Sequence, residues 1–184
     1  LSGLADVVAS EPSMQAVLAD VAQPEVEVIG PDGIRPHLVK GLVDAGRTVL
    51  VTTATVREAE DLIDSLADVI DPELLAFFPA WETLPHERLS PRSDTVGRRL
   101  AVLRRLVHGP LRVVVAPVRS VLQPQVKGLA DLVPVELRVG EEHDLDDVVR
   151  RLADAAYQRV DLVEKRGEFA VRGGIIDVFP PTGE

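Results

Sequence analysis

Three stretches hold residues whose types and spacing could do chemistry: a turn at 30–36, an arginine-rich segment at 88–105 and a glycine-centred motif at 168–179. The turn, Gly30-Pro31-Asp32-Gly33-Ile34-Arg35-Pro36, sits where a nucleotide-binding α/β domain would cradle phosphate. Phosphate binding there needs free backbone amides, a lysine for charge and a serine or threonine for magnesium. This turn has no Lys-Ser/Thr pair, two prolines that remove amide donors, and an aspartate that would repel phosphate. The residues therefore predict a structural turn with no bound cofactor, and no catalytic residues.

The second stretch carries Arg98, Arg99, Arg104 and Arg105, with Arg88 and Arg92 before them. Six guanidinium groups within 18 residues could engage a phosphate backbone. They could equally form a solvated face or an intramolecular contact with acidic groups. Helical spacing places Arg98 and Arg105 on one face, with Leu100, Leu103, Leu106 and Val107 as the packing stripe. His37, His86, His108 and His143 are scattered without metal-ligand spacing. Glu141-Glu142 and Asp144 to Asp147 read as a helix N-terminus rather than a metal cluster. No nucleophile–base arrangement stands out.

The third stretch is the sharpest. Glu168–Arg172 and Ile175–Phe179 flank Gly173-Gly174, the pattern of a two-residue β-hairpin. Pairing Arg172 with Ile175 places Phe169, Val171, Ile176 and Val178 on one apolar face. The other face carries Ala170, Arg172, Ile175, Asp177 and Phe179. Large apolar side chains beside an arginine suit a protein-binding hot spot. The alternative is a solvated face on which Arg172 pairs diagonally with Asp177 and contributes little.

Elements that must position these residues follow from hydropathy pattern and punctuation. Leu4 to Val21 reads as two short helices broken at Glu11-Pro12, and Val26–Ile29 as a short strand. A helix over Ile34 to Asp44 leads to a strand at Thr48–Thr52, then a helix capped by Thr55 with Glu58 as its capping-box partner. Leu74–Phe78 is the next strand, followed by a loop over Pro79 to Pro91 that holds Trp81, His86 and Arg88. A helix capped by Ser93 or Asp94 runs to about Val107, before a buried strand at Arg112–Ala116. Alternating strands and helices imply a doubly wound α/β sheet over residues 1–117. From Val118 the pattern changes: a strand at Val133–Val139, a helix from Asp144 to about Tyr157, and the hairpin predict a smaller α+β domain over 118–184.

Composition sets the outer limits. The chain has 184 residues, 46% of them hydrophobic, which excludes a disordered protein. No apolar run reaches the roughly 20 residues of a membrane helix, and zero cysteines fit a reducing, cytoplasmic setting. The net charge of −10 disfavours general nucleic-acid binding. That charge is uneven: residues 1–76 hold 4 basic and 14 acidic side chains, while 77–184 hold 16 of each. A start at Leu1 rather than Met and a stop just after a strand-like run lead us to expect a piece of a longer protein.

Phe78-Pro79-Ala80-Trp81-Glu82-Thr83-Leu84-Pro85-His86-Glu87, Leu89-Ser90-Pro91 and Asp94-Thr95-Val96 with Arg98-Arg99-Leu100 resemble the bacterial transcription-repair coupling factors, the Mfd family. Tyr157 to Asp161 and Arg166 to Pro180 are similar both to that family and to the excision-repair protein UvrB. The resemblance implies a UvrB-like module: a degenerate RecA/helicase-like domain that has lost its nucleotide motif, with an inserted domain that recruits UvrA. It further implies that ATP and magnesium, RNA polymerase and DNA are engaged by downstream segments of an ATP-driven translocase. A C-terminal domain of the same protein is the implied intramolecular partner of the UvrA-binding surface. Carried over by position, Arg159 and Arg172 match UvrB arginines associated with UvrA contact, and a third falls at Ala170. Arg166, Ile175 and Phe179 are then the neighbours expected to compensate. A nucleotide-dependent helicase fragment and a DNA-contacting module through the arginine-rich helix are the alternative readings.

Overall fold

The computed structural model describes residues 7–83, 92–125, 127–131, 133–155 and 157–181. Within it the chain separates into two compact units, residues 1–80 with 105–124 and residues 81–104 with 125–184.

In the first unit, helix α1 (Pro12–Ala19) begins where Glu11 accepts hydrogen bonds from the amides of Ser13 and Met14. This is the expected break between two helical stretches; the start expected at Leu4 lies outside the described residues. Residues 25–30 form no regular element and pair with no strand, and Ile29 is 92% exposed. The strand expected at Val26–Ile29 is thus not part of the sheet. The turn at Gly30–Pro36 instead enters a 3₁₀ turn (Asp32–Ile34) and helix α2 (Arg35–Asp44), without a paired strand before it.

Three strands form the sheet: β1 (Val49–Thr53), β2 (Leu75–Phe77) and β3 (Val113–Pro117), in the order β1-β3-β2 and all parallel. Placing β3 centrally explains its composition, because a strand covered on both faces needs an unbroken apolar run, and all five of its residues are buried. Helix α3 (Val56–Ala67) follows β1. Thr55 Oγ1 accepts from the amide of Glu58 at 3.1 Å, and the Glu58 carboxylate reaches back to the amide of Ala54 at 3.2 Å. The capping box therefore closes one residue earlier than expected. Ala59, Leu62 and Leu66 of α3 pack with Val39 of α2, Ile70, Leu75, Val113 and Val115 to make the first core. Helix α4 (Ser93–His108) starts at Ser93, so Asp94 lies in its first turn. Helix α5 (Val118–Leu122) packs on β1 and β3, so residues 105–124 stay with the first unit, while residues 81–104 fall in the second.

The second unit has its own core. Residues 133–138 form no regular element and have no strand partner; Val135 packs inward while Val133 and Leu137 are exposed. The strand expected there contributes side chains but no sheet ladder. Asp144 caps helix α6 (Leu145–Asp154) by accepting from the amide of Asp147 at 2.9 Å. Val148 and Leu152 of α6 meet Phe169 under a second sheet, β4 (Gln158–Arg159), β5 (Glu168–Arg172) and β6 (Ile175–Phe179). Strand β4 pairs parallel with β5, and β5 pairs antiparallel with β6. Strand β4 is too short to have announced itself by alternation.

Candidate functional site

The hairpin forms in the register the sequence implies, with Arg172 opposite Ile175, Val171 opposite Ile176, Ala170 opposite Asp177 and Phe169 opposite Val178. Gly173 has φ of +60°, and it occupies the first central position of the turn, where a two-residue hairpin of the II′ kind needs glycine. Phe169, Val171, Ile176 and Val178 pack on Val148 and Leu152, so one face is committed to the core. On the other face Ile175 is 66% exposed and Phe179 38%, with Asp177 exposed between them. An apolar pair held in solvent on a rigid strand is what a protein partner can cover with little ordering cost.

The arginines around this face behave differently from one another. Arg172 donates from Nε at 3.2 Å, and also from Nη2, to the carbonyl of Asp161. No ion pair joins it to Asp177 among the described residues, so the diagonal pairing weighed from sequence does not occur. Arg166 lies over the Phe179 ring, 5.1 Å from its centroid, and donates to the carbonyl of Pro180 at 3.3 Å. Arg159 is exposed on β4 opposite Phe169. Paired residues share a side of a sheet, so Arg159 has the parity of the core-facing residues and Arg172 that of Asp177. The structure brings Arg166, Phe179 and Ile175 to the hairpin's outer side with Arg172; it does not bring Arg159 against Arg172. Ala170 is only 2% exposed, so an arginine there would have to displace what covers that position.

Sequence reasoning missed the side chains that shape the connection between β4 and β5. The Glu168 carboxylate accepts from the amides of Glu164 at 2.9 Å and Lys165 at 2.8 Å, and these bonds hold it below the usual carboxylate range. Gly167, at φ +83°, turns the chain into β5. Glycine at 167 followed by glutamate was the only signal available, and it is a common dipeptide.

The arginine-rich helix resolves into separate tasks. Arg99 is 1% exposed, with its guanidinium 4.3 Å from the centroid of the Trp81 ring. Burial lowers its pKa to about 10. Beside it, Thr95 donates to the Glu82 carboxylate. Arg105 donates to the carbonyls of Glu73 at 2.7 Å and Leu75 at 3.2 Å, tying α4 to the start of β2. Arg98 lies 3.8 Å from Asp94, and Arg104 is exposed. Leu84 to Pro91, with His86 and Arg88, lie outside the described residues. Among the described residues no group of three or more acidic, histidine or cysteine side chains is arranged to hold a metal, and no helix is long and apolar enough to cross a membrane.

Comparison with known proteins places this hairpin in context. Residues 135–184 match the family model of the UvrB interaction domain, a range that holds α6, the second sheet and the hairpin. The transcription-repair-coupling factor of Mycobacterium tuberculosis (strain CDC 1551 / Oshkosh) is 47% identical over 193 aligned residues, covering 100% of this chain and 16% of that protein. Its counterpart in Bacillus subtilis (strain 168) is 28% identical over 83% of this chain, and that of Staphylococcus aureus (strain USA300) 30% over 76%. The chain thus spans about one sixth of the length of its mycobacterial relative. Matched along its whole length at that identity, with a UvrB interaction domain where its hairpin lies, the chain belongs to the transcription-repair-coupling factor family.

Proposed function

We propose that this segment is a non-catalytic docking module that recruits UvrA in transcription-coupled nucleotide excision repair. The observation that carries the reading is the two-sided hairpin within the matched UvrB interaction domain: one face is locked into the core, the other offers Ile175 and Phe179 to solvent. Phe179 and Ile175 are the apolar anchors. Arg166 orients the Phe179 ring by stacking on it, and Arg159 supplies an exposed cation at the β4 edge. Displacement of stalled RNA polymerase by ATP-driven translocation on DNA belongs, in this reading, to parts of the relatives beyond the matched sixth. The C-terminal domain of the longer protein would compete for the same face. Isothermal titration of the chain with UvrA tests the assignment. Phe179→Ala should weaken binding about tenfold or more, the scale of an interface anchor, while Arg57→Ala, on the exposed side of α3, should leave it unchanged. Equal affinities for the parent chain and Phe179→Ala would overturn it.

A further inference from the structure

Strands β4 and β5 run parallel, yet only eight residues, 160–167, connect them. Parallel neighbours ordinarily need a crossover of about a dozen residues or more. So short a link must turn tightly and has no secondary structure of its own to hold it. The sheet supplies the holding. At its start the loop is gripped by Arg172, whose Nε and Nη2 both donate to the Asp161 carbonyl. In its middle the Glu168 carboxylate accepts from the amides of Glu164 and Lys165, and the Lys165 carbonyl accepts from the amide of Glu168 at 3.2 Å. At its end the Gly167 amide donates to the Phe179 carbonyl at 2.7 Å, and Arg166 stacks on the Phe179 ring. Three anchors therefore fix a loop whose Leu162 side chain is nonetheless 61% exposed.

Leu162 is thus an apolar side chain in solvent on a loop tied to both hairpin strands, and one of those strands carries the exposed Ile175 and Phe179. We infer that the Asp161–Gly167 loop is a pre-set part of the partner-binding surface, with Leu162 as its contact, and that Arg172 serves as a positioning residue for it. This rests on the docking function proposed above. It assigns Arg172 a task besides that of a cation facing the partner, because Nε and Nη2 of this exposed side chain hold a backbone carbonyl of its own chain. Fixing the loop beforehand removes the ordering cost that a mobile loop would impose on association.

The two halves of the inference are tested separately on the full 184-residue chain. Hydrogen–deuterium exchange in the absence of any partner reads the positioning role. Arg172→Ala should speed exchange at the Glu164 and Lys165 amides about tenfold, corresponding to loss of a hydrogen bond to a charged group, with exchange in β5 and α6 unchanged. Glu168→Ala should do the same without removing a cation. Titration with UvrA reads the recognition role. Leu162→Ala and Glu168→Ala should each weaken binding severalfold, and Leu162→Ala should cost less in an Arg172→Ala background, since contacts on one loop are not additive. Unchanged exchange in Arg172→Ala overturns the positioning role whatever UvrA does. Unchanged UvrA affinity in Leu162→Ala, with Phe179→Ala still impaired, overturns the recognition role while leaving the docking function standing. Parent-level affinity in both Leu162→Ala and Phe179→Ala places the failure in the docking function itself.

Discussion

Trp81 and Arg99 show what a single pair of side chains decides. A guanidinium removed from water must find compensation, and the indole face 4.3 Å away supplies part of it. Trp81→Ala takes away both the cover and the cation–π attraction. It should lower unfolding stability by about 2 kcal/mol, with Trp81→Phe losing less than half of that; urea denaturation of the three proteins checks it. Helical periodicity could place Arg99 on a face of α4 but could not say that the face meets an aromatic ring rather than solvent. The sequence therefore revealed a basic helix and hid the fates of its arginines, which depend on residues 18 and 32 positions away. Glu168 offers a second residue-scale outcome. Its folded-state pKa is depressed below the ordinary 4.5 by the amides of Glu164 and Lys165. The stabilisation it gives the loop is thus fully present above 4.5 and is lost as pH falls from there through the folded value. Exchange at those two amides, corrected for intrinsic rate, should rise as pH drops below 4.5, and Glu168→Gln should abolish that pH dependence.

Elements were legible where local chemistry alone specifies them. The hairpin register follows from a two-residue glycine turn between runs of equal length, because the turn fixes which residues face each other. Gly173 occupies a left-handed conformation with open space around it, so the penalty for a side chain there is conformational rather than steric. Gly173→Ala should cost about 1 kcal/mol, while Gly174→Ala, without a positive φ to satisfy, should cost less; paired thermal melts separate them. Asp144 is another local signal, and Asp144→Ala should cost about 1 kcal/mol through the lost N-cap. By contrast, Val26–Ile29 and Val133–Val139 have strand composition but no strand partner. A strand exists only when a neighbour takes its hydrogen bonds, and pairing is a tertiary fact that an apolar run does not encode. The same limit hid β4, two residues long and defined wholly by its partner β5.

At the scale of the whole molecule, charge and structure together set what the chain can bind. Residues 1–76 carry a net −10 and all fall in the first unit, while the arginines of α4 are the route to nucleic acid that the sequence suggested. Of those four, Arg99 is buried on Trp81 and Arg105 is tied to the carbonyls of Glu73 and Leu75. Only Arg98 and Arg104 are exposed. Each phosphate neutralised contributes about −0.9 to the slope of log affinity against log salt, so two contacts give a slope near −2. A shallow slope on a chain of strong net negative charge means weak association throughout. Fluorescence anisotropy with a short labelled duplex should find a Kd weaker than about 100 μM at 150 mM salt, the weak end of non-specific DNA binding. Arg98→Ala with Arg104→Ala should flatten what salt dependence remains at low ionic strength. Micromolar binding with a slope near −4 would require about four cations on phosphates, twice what the exposed arginines of α4 supply. Drawn from α4 alone, that number would mean Arg99 leaving Trp81 and Arg105 leaving the edge of β2, a cost the phosphate contacts would have to offset. A slope no steeper than about −2 is the expected result, and it separates a module that docks protein from one that grips DNA.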